Sequence, residues 1–221
     1  IVDLLEGRYL NEAIRRYYGN APDSTQNGIQ VSLGVDRDLR DEPHAVVPLL
    51  DRPLTIAGRT YDRLGEYGVE HYCFDPSMAP PGKSVVKVVL RASPSYWLEL
   101  RQDRARYRAE TTEVAEAVLD ELETRMPGLR EQVEVLDVST PATVERYAGN
   151  WQGLEAWFPQ PMTLDAMRNG VSRTLPGLGS FHMVGQWAEG GGGLPTGAIA
   201  GRNLVEQLCH RDGRTFIARA D

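Results

Sequence analysis

Asp75-Pro-Ser-Met-Ala-Pro-Pro-Gly-Lys83 runs straight into Ser84-Val-Val-Lys-Val-Val-Leu90, and this junction decides the fold class. Pro76, Pro80 and Pro81 cannot donate to a β-ladder, so the first segment is a loop. The second is the most β-branched stretch of the chain and predicts a strand. Upstream, Ile29, Val31, Leu33 and Val35 alternate with polar or small residues, the period of a strand with one buried face. His44–Leu49 and Val69–Phe74 are shorter strand candidates. Downstream of Ser93-Pro94 the period becomes helical. From Asp103 to Arg125 there is no Gly or Pro, and Val114, Val118, Leu119, Leu122 and Met126 form one apolar stripe. Pro127-Gly128 stops that helix and Val133–Val138 predicts another strand. Thr140-Pro141 has the form of an N-cap followed by proline at the first helical position, opening a short helix through Tyr147.

At the far N-terminal side, Leu4, Leu5, Tyr9, Leu10, Ile14, Tyr17 and Tyr18 recur at three- and four-residue spacing, which predicts helix over the first twenty residues. Gly19 to Ser24 ends it. Strands interspersed with long helices, without a βαβ rhythm, give an α+β fold: a largely antiparallel or mixed sheet covered by helices. The strands at 29–35, 69–74 and 84–90 are expected in one sheet, with the 103–125 helix packed on it through Val114, Val118 and Leu122.

Composition narrows the function classes. With 221 residues, 41% hydrophobic and 25% charged, the chain can bury a core and is not disordered as a whole. Apolar runs such as Val88-Val89-Leu90 fall far short of the roughly 18 residues of a membrane span. No basic-then-apolar opening marks a retained signal peptide. The chain opens on Ile1 rather than Met, which points to a piece of something longer. Thirty-one acids against 24 bases give −7, which argues against a nucleic-acid partner. Only Lys83 and Lys87 are lysines, an arginine bias read as coding preference rather than phosphate recognition. Cys73 and Cys209 lie far apart and outside any Cys-x-x-Cys, so a disulfide framework is not expected and a reducing cytoplasm is. His44, His71, His182 and His210 show no ligand spacing, so no metal site is expected. His71 reads as packed or superficial rather than catalytic. No Gly-x-Ser-x-Gly offers a serine nucleophile. The acid run from Glu110 to Glu123 reads as a solvated helix face. Trp151, Trp157 and Phe158, in a Gly- and Pro-rich stretch, suit either core packing or the wall of an apolar tunnel.

Chemistry concentrates in the last quarter. Phe181–Val184 reads as a strand, Gly185 to Thr196 as a Gly-rich loop and Gly197 to Cys209 as a helix. Four consecutive glycines before a helix let a ligand approach the backbone, and the helix start offers unsatisfied N–H groups and a positive dipole end. The loop is not a primary nucleotide motif, because neither Gly-x-Gly-x-x-Gly nor Gly-x-x-x-x-Gly-Lys-Ser/Thr occurs.

Val184-Gly-Gln-Trp-Ala-Glu-Gly-Gly-Gly-Gly-Leu-Pro-Thr-Gly-Ala-Ile-Ala-Gly-Arg202 resembles the C-terminal FAD signature of the phytoene desaturase, carotenoid isomerase and retinol saturase group of amine-oxidase-like flavoproteins. Asp75-Pro-Ser-Met-Ala-Pro-Pro-Gly-Lys83 is similar to that group's D-P-S-x-A-P-x-G loop. Glu123-Thr-Arg-Met-Pro-Gly-Leu129 and Thr140-Pro-Ala-Thr-Val-Glu-Arg146 resemble its P-x-L and T-P-x-T-x-x-R stretches. The resemblance implies a substrate domain over residues 1–150. It implies that residues 151–221 cross back and supply the C-terminal strand, Gly loop and helix of a FAD-binding domain.

The cofactor implied is FAD, held in the complete protein by Gly185, Gln186, Gly192, Gly193, Leu194, Pro195 and Thr196. The substrate implied is an apolar polyene or isoprenoid, with flavin carrying the hydride chemistry, so no catalytic residue is assigned. Missing is the family's opening Gly-x-Gly-x-x-Gly unit. The partner expected is therefore the N-terminal FAD-binding portion of the same protein, without which the fragment is expected inactive and flavin-free. Where many members carry an acid after the equivalent of Gly185, this chain has Gln186, whose amide can still bond ribityl or pyrophosphate. Bulk at Gly193 is expected to harm flavin retention more than a charge at Gln186. A cis–trans isomerase using reduced flavin and an inactive binding module are the alternative readings, and peripheral membrane contact is left open.

Overall fold

The computed structural model describes residues 4–12, 14, 15, 28–48, 53–62, 67–153, 174–189 and 193–218. By packing the chain divides into residues 26–154 and a second unit made of residues 1–25 with 155–221. The expected division near residue 150 left the first 25 residues with the sheet; the structure places them with the C-terminal part instead. Such pairing of distant segments leaves no local sequence trace.

Residues 26–154 fold as an α+β unit. Five strands form one antiparallel sheet in the order β2-β5-β6-β1-β7. They are β1 (Gly28–Val35), β2 (Ala45–Val46), β5 (Tyr67–His71), β6 (Ser84–Arg91) and β7 (Val133–Ser139). β3 (Leu54–Ile56) and β4 (Arg59–Tyr61) make a separate hairpin whose turn, Ala57-Gly58, has φ of 52° and 67°. The sheet expected from periodicity is present: β1 pairs β6 from Gly28↔Arg91 to Val35↔Ser84, and β5 pairs β6. The 44–49 candidate reduces to the two residues of β2, with Leu49 outside the described residues. The 69–74 candidate starts earlier and ends at His71, where Asp75 N–H turns back to the Tyr72 carbonyl.

Ile29, Val31, Leu33, Val86, Val88 and Leu90 point to one face and are buried. Against it lie α1 (Pro94–Leu100), α2 (Arg104–Arg125) and α3 (Pro141–Ala148), whose Trp97, Val114, Val118, Leu122 and Ala142 belong to the same core. Each fully buried Val, Ile or Leu among them stabilises the unit by roughly 1.5–3 kcal/mol through burial. α2 begins where Asp103 Oδ1 accepts from the N–H groups of Ala105 (3.0 Å) and Arg106 (3.1 Å), an N-cap in place of two helical carbonyls. Thr140 is the expected N-cap of α3 and forms with Thr143 a capping box that the sequence reading did not foresee, and the Tyr107 hydroxyl lies 2.7 Å from Thr140 Oγ1.

The second unit has a small core of Ile14, Leu175, Met183 and Ala188, with Leu5, Leu10 and Leu178 against it. Its elements are the hairpin β8 (Thr174–Leu175) and β9 (Leu178–His182), then α4 (Gln186–Glu189) and α5 (Gly193–Arg211). The helix expected over the first twenty residues is not formed at Leu4–Tyr9, where Glu6, Gly7 and Tyr9 have φ of 51°, 71° and 62°. A helical turn starts only after Asn11, whose Oδ1 accepts from Ile14 N–H at 2.8 Å. Gly7 and a capping Asn overrode the apolar spacing. Tyr17 and Tyr18 lie outside the described residues. The strand expected at Phe181–Val184 is β9 at Leu178–His182. The helix expected from Gly197 begins at Gly193, with Pro195 in the first turn, where a missing N–H costs nothing. Part of the expected loop is the short helix α4.

Candidate functional site

Gly185 leaves β9 with φ +120° and opens α4. Among the described residues a Cβ built on Gly185, Gly197 or Gly201 would meet nothing within 4 Å, so none of them bars a flat ligand from the backbone there. At that level the segment fits the flavin implied by its sequence. Gln186 Oε1 accepts from the Gly193 N–H at 2.6 Å. The structure therefore brings Gln186 and Gly193 together, and Leu194, Pro195 and Thr196 continue from that point as the first turn of α5, Leu194 being 91% exposed. Gly192 lies outside the described residues. Gly193 has φ +84° and a Cβ there would meet only Pro195 Cδ at 3.7 Å. The need for glycine at 193 is thus conformational, a left-handed backbone rather than crowding.

The other stretches that carry the family resemblance are held in the same manner, by side chains bonded to nearby main chain. Asp75 Oδ1 accepts from the Ser77 hydroxyl (2.6 Å) and the Ser77 N–H (2.9 Å), and both bonds hold its carboxyl below the usual range. Glu123 accepts from Arg130 N–H (3.0 Å) and Gly128 N–H (2.6 Å), which lowers its carboxyl likewise. The Asp75 loop borders a cavity of about 180 Å3 lined in part by Asp38, Arg40, Tyr72, Cys73 and Lys83. Behind it Ser84 Oγ donates to the Arg37 carbonyl (2.6 Å), accepts from Leu39 N–H (3.0 Å) and lies 3.0 Å from Cys73 Sγ. His71 is buried; its Nε2 bonds the Glu42 carbonyl (3.0 Å), so it must donate, and Nδ1 accepts from Cys73 N–H (3.4 Å). Those two bonds hold the ring in place and give it a packing role. Trp151 is more than half exposed and lines no core, while Trp157 and Phe158 lie outside the described residues.

One constellation was missed in the sequence. On the sheet face opposite α2, Glu70, Lys87, Ser32 and Asp137 lie in a row across β5, β6, β1 and β7. Lys87 Nζ is 2.7 Å from Glu70 Oε2, which also accepts from the Tyr72 hydroxyl at 3.0 Å; the ammonium lies 5.4 Å from the Tyr72 ring centre. The Lys87 bond is the main cause that draws Glu70 down. Burial works against the Lys87 charge, but its bonds to Glu70 and Tyr72 outweigh it and raise its affinity for the proton. Val85 and Val89 flank the row, half-buried. The signal was the scarcity of lysine, but only the strand register shows that Lys87 opposes Glu70.

Among the described residues no group of three His, Cys, Asp or Glu side chains could hold a metal ion, and no helix is long and apolar enough to cross a membrane. No protein-family model matches the chain. Its fold is similar to that of an oxidoreductase from Methanosarcina mazei, at a TM-score of 0.50 and 19% identity over 88% of this chain. The chain spans 36% of that protein's length.

Proposed function

We propose that these residues are the substrate-domain portion, with the returning strand and helix, of a FAD-dependent oxidoreductase acting on an apolar polyene or isoprenoid substrate. The observation that carries this reading is the fold likeness, which runs over 88% of the chain, and so over parts of both units, and whose counterpart is described as an oxidoreductase. The 36% share of that protein leaves room for the dinucleotide-binding part that the sequence reading calls for.

Gly185, Gln186, Gly192, Gly193, Leu194, Pro195 and Thr196 would hold the FAD. The cofactor supplies hydride transfer, and the protein's part is to bind, orient and exclude water. The first amides of α5 and its positive dipole end favour negative charge placed against them. The half-buried Val85 and Val89 would give this sheet face an apolar floor for the substrate. Lys87, already neutralised by Glu70, adds no net charge there to repel a hydrocarbon. Gly193→Val forces a β-branched residue into φ +84° and is expected to abolish flavin retention.

The test is reconstitution. The 221-residue chain alone should purify colourless, and the chain extended through the coding sequence upstream of Ile1 should carry FAD at one per molecule. An extended protein that takes up no added FAD overturns the proposal.

A further inference from the structure

We infer that the cavity beside the Asp75 loop is the end stop of a substrate track along β6, and that it admits only an uncharged terminus. The placement rests on the oxidoreductase reading, which supplies an extended apolar substrate to lie on the track. Val89, Lys87 and Val85 follow one another on one face of β6, and each keeps part of its surface exposed. Over these positions the strand runs straight for about 13 Å, at roughly 3.3 Å per residue, which suits a stiff and extended chain. Past Val85 the strand begins, at Ser84, where the Asp75 loop delivers it. Val85 belongs to both features: it flanks the row and borders the cavity. Tyr72 does the same, with its hydroxyl on Glu70 at 3.0 Å and its side chain at the cavity wall. A ligand seated on Val89 and Val85 therefore meets the cavity next. At about 180 Å3 the space is far larger than the ~10–15 Å3 that one water requires, so it is no packing defect.

The wall is built before any ligand arrives. Pro76, Pro80 and Pro81 each fix their own φ, and the Asp75–Ser77 bonds pin the start of the loop. The charges around the cavity cancel, Asp38 and Asp75 against Arg40 and Lys83. They are also engaged with protein groups: Arg40 with Asp38 at 3.0 Å, Lys83 with Glu134 and, at 3.5 Å, with Asp36, and Asp75 with Ser77. An anionic end group would leave water and find both cations already paired. A hydrocarbon or alcohol terminus meets no such cost. The pocket thus discriminates between isoprenoids that differ only at the end of the chain.

Geraniol and geranyl diphosphate, one chain with an uncharged and an anionic end, are the probes, and the 221-residue chain is tested without flavin. In an NMR titration geraniol should move the Ala79 and Gly82 amides saturably and leave Leu194, on α5, in place. Cys73 borders the cavity and gives a second readout once Cys209→Ser leaves it the sole thiol. With geraniol at ten times its Kd, labelling of Cys73 by iodoacetamide should slow roughly tenfold, because about a tenth of the cavities stand empty. Geranyl diphosphate at that concentration should leave the rate as it was, and Ala79→Phe, which fills the space, should abolish the protection by geraniol. No saturable shift at Ala79 and Gly82 overturns the inference, and so does equal protection by the diphosphate. Addition of FAD to the upstream-extended protein separates the two readings. If that protein takes up none while geraniol still protects Cys73, the pocket stands and the oxidoreductase reading falls. If it binds FAD while geraniol neither shifts nor protects, the pocket falls and the oxidoreductase reading stands.

Discussion

α2 and α5 are helices of similar length, 22 and 19 residues, and they lead opposite lives. In α2, Val114, Val118 and Leu122 are fully buried against the sheet. In α5 only Ala200 is buried, while Leu194 is 91%, Ile199 57% and Val205 49% exposed. Both helices carry apolar side chains, although α5 also holds Gly197 and Gly201 in its interior; what differs besides is the surface that receives them. Residues 26–154 complete their own core, from Ile29 on β1 to Trp97 on α1 and Leu129 after α2. The second unit gathers Ile14, Leu175, Met183 and Ala188, and of α5 it buries Ala200 alone. Helical stability in proteins comes mostly from such packing, so α5 owes its shape to less than α2 does.

The contrast can be broken most forcefully at Trp97. Its ring is fully buried, edge-on to Tyr96 and Tyr107 at 5.7 Å, inside the larger core. Trp97→Ala should cost about 3–5 kcal/mol in urea unfolding of the chain. A loss under about 1 kcal/mol would mean that the larger core is no better closed than the smaller one.

A second measurement concerns the bonds that tie the larger unit's turns. Glu123 is held below its usual carboxyl range by the N–H groups of Arg130 and Gly128. A depressed folded value contributes stability that is whole above the unfolded carboxylate range and is lost as pH falls through the folded value. Thermal midpoints followed from neutral pH into acid should therefore fall less steeply for Glu123→Gln than for the parent. Identical acid limbs would show that the Glu123 bonds carry no stability.

The smallest effect belongs to α5. Leu194→Ser should change the stability of the isolated chain by no more than about 0.5 kcal/mol, as for an exposed site without partners. A drop of about 2 kcal/mol would show that Leu194 is packed and would erase the contrast between the helices.

How much of this was readable beforehand follows the range of the interaction involved. β1, β6 and α2 announced themselves because Ile29-x-Val31-x-Leu33 and Val114 to Leu122 repeat with a local period. The β3–β4 hairpin did not, since Ala57-Gly58 lacks the Asn-Gly signature and its strands are three residues long. The N-terminal helix was misread because Gly7 and Asn11 outweigh spacing. In the candidate site, glycine content was legible but the Gln186–Gly193 bond was not, because side-chain bonds across seven residues have no periodic trace. Lys87 and Glu70 are seventeen positions apart and meet only through register.

The strand order also sets a schedule for synthesis. β1 lies between β6 and β7, yet β7 leaves the ribosome roughly a hundred residues later, a delay of about 5–20 s at ordinary elongation rates. Throughout that interval the β1 backbone has a bare hydrogen-bonding edge running beside Val31 and Leu33, the kind of template on which nascent chains pair wrongly. The helices between β6 and β7 emerge first and can shield the face of the sheet but not its rim. Production of this protein is therefore most vulnerable while residues 92 to 132 are being translated, and slower passage through that window lengthens the exposure.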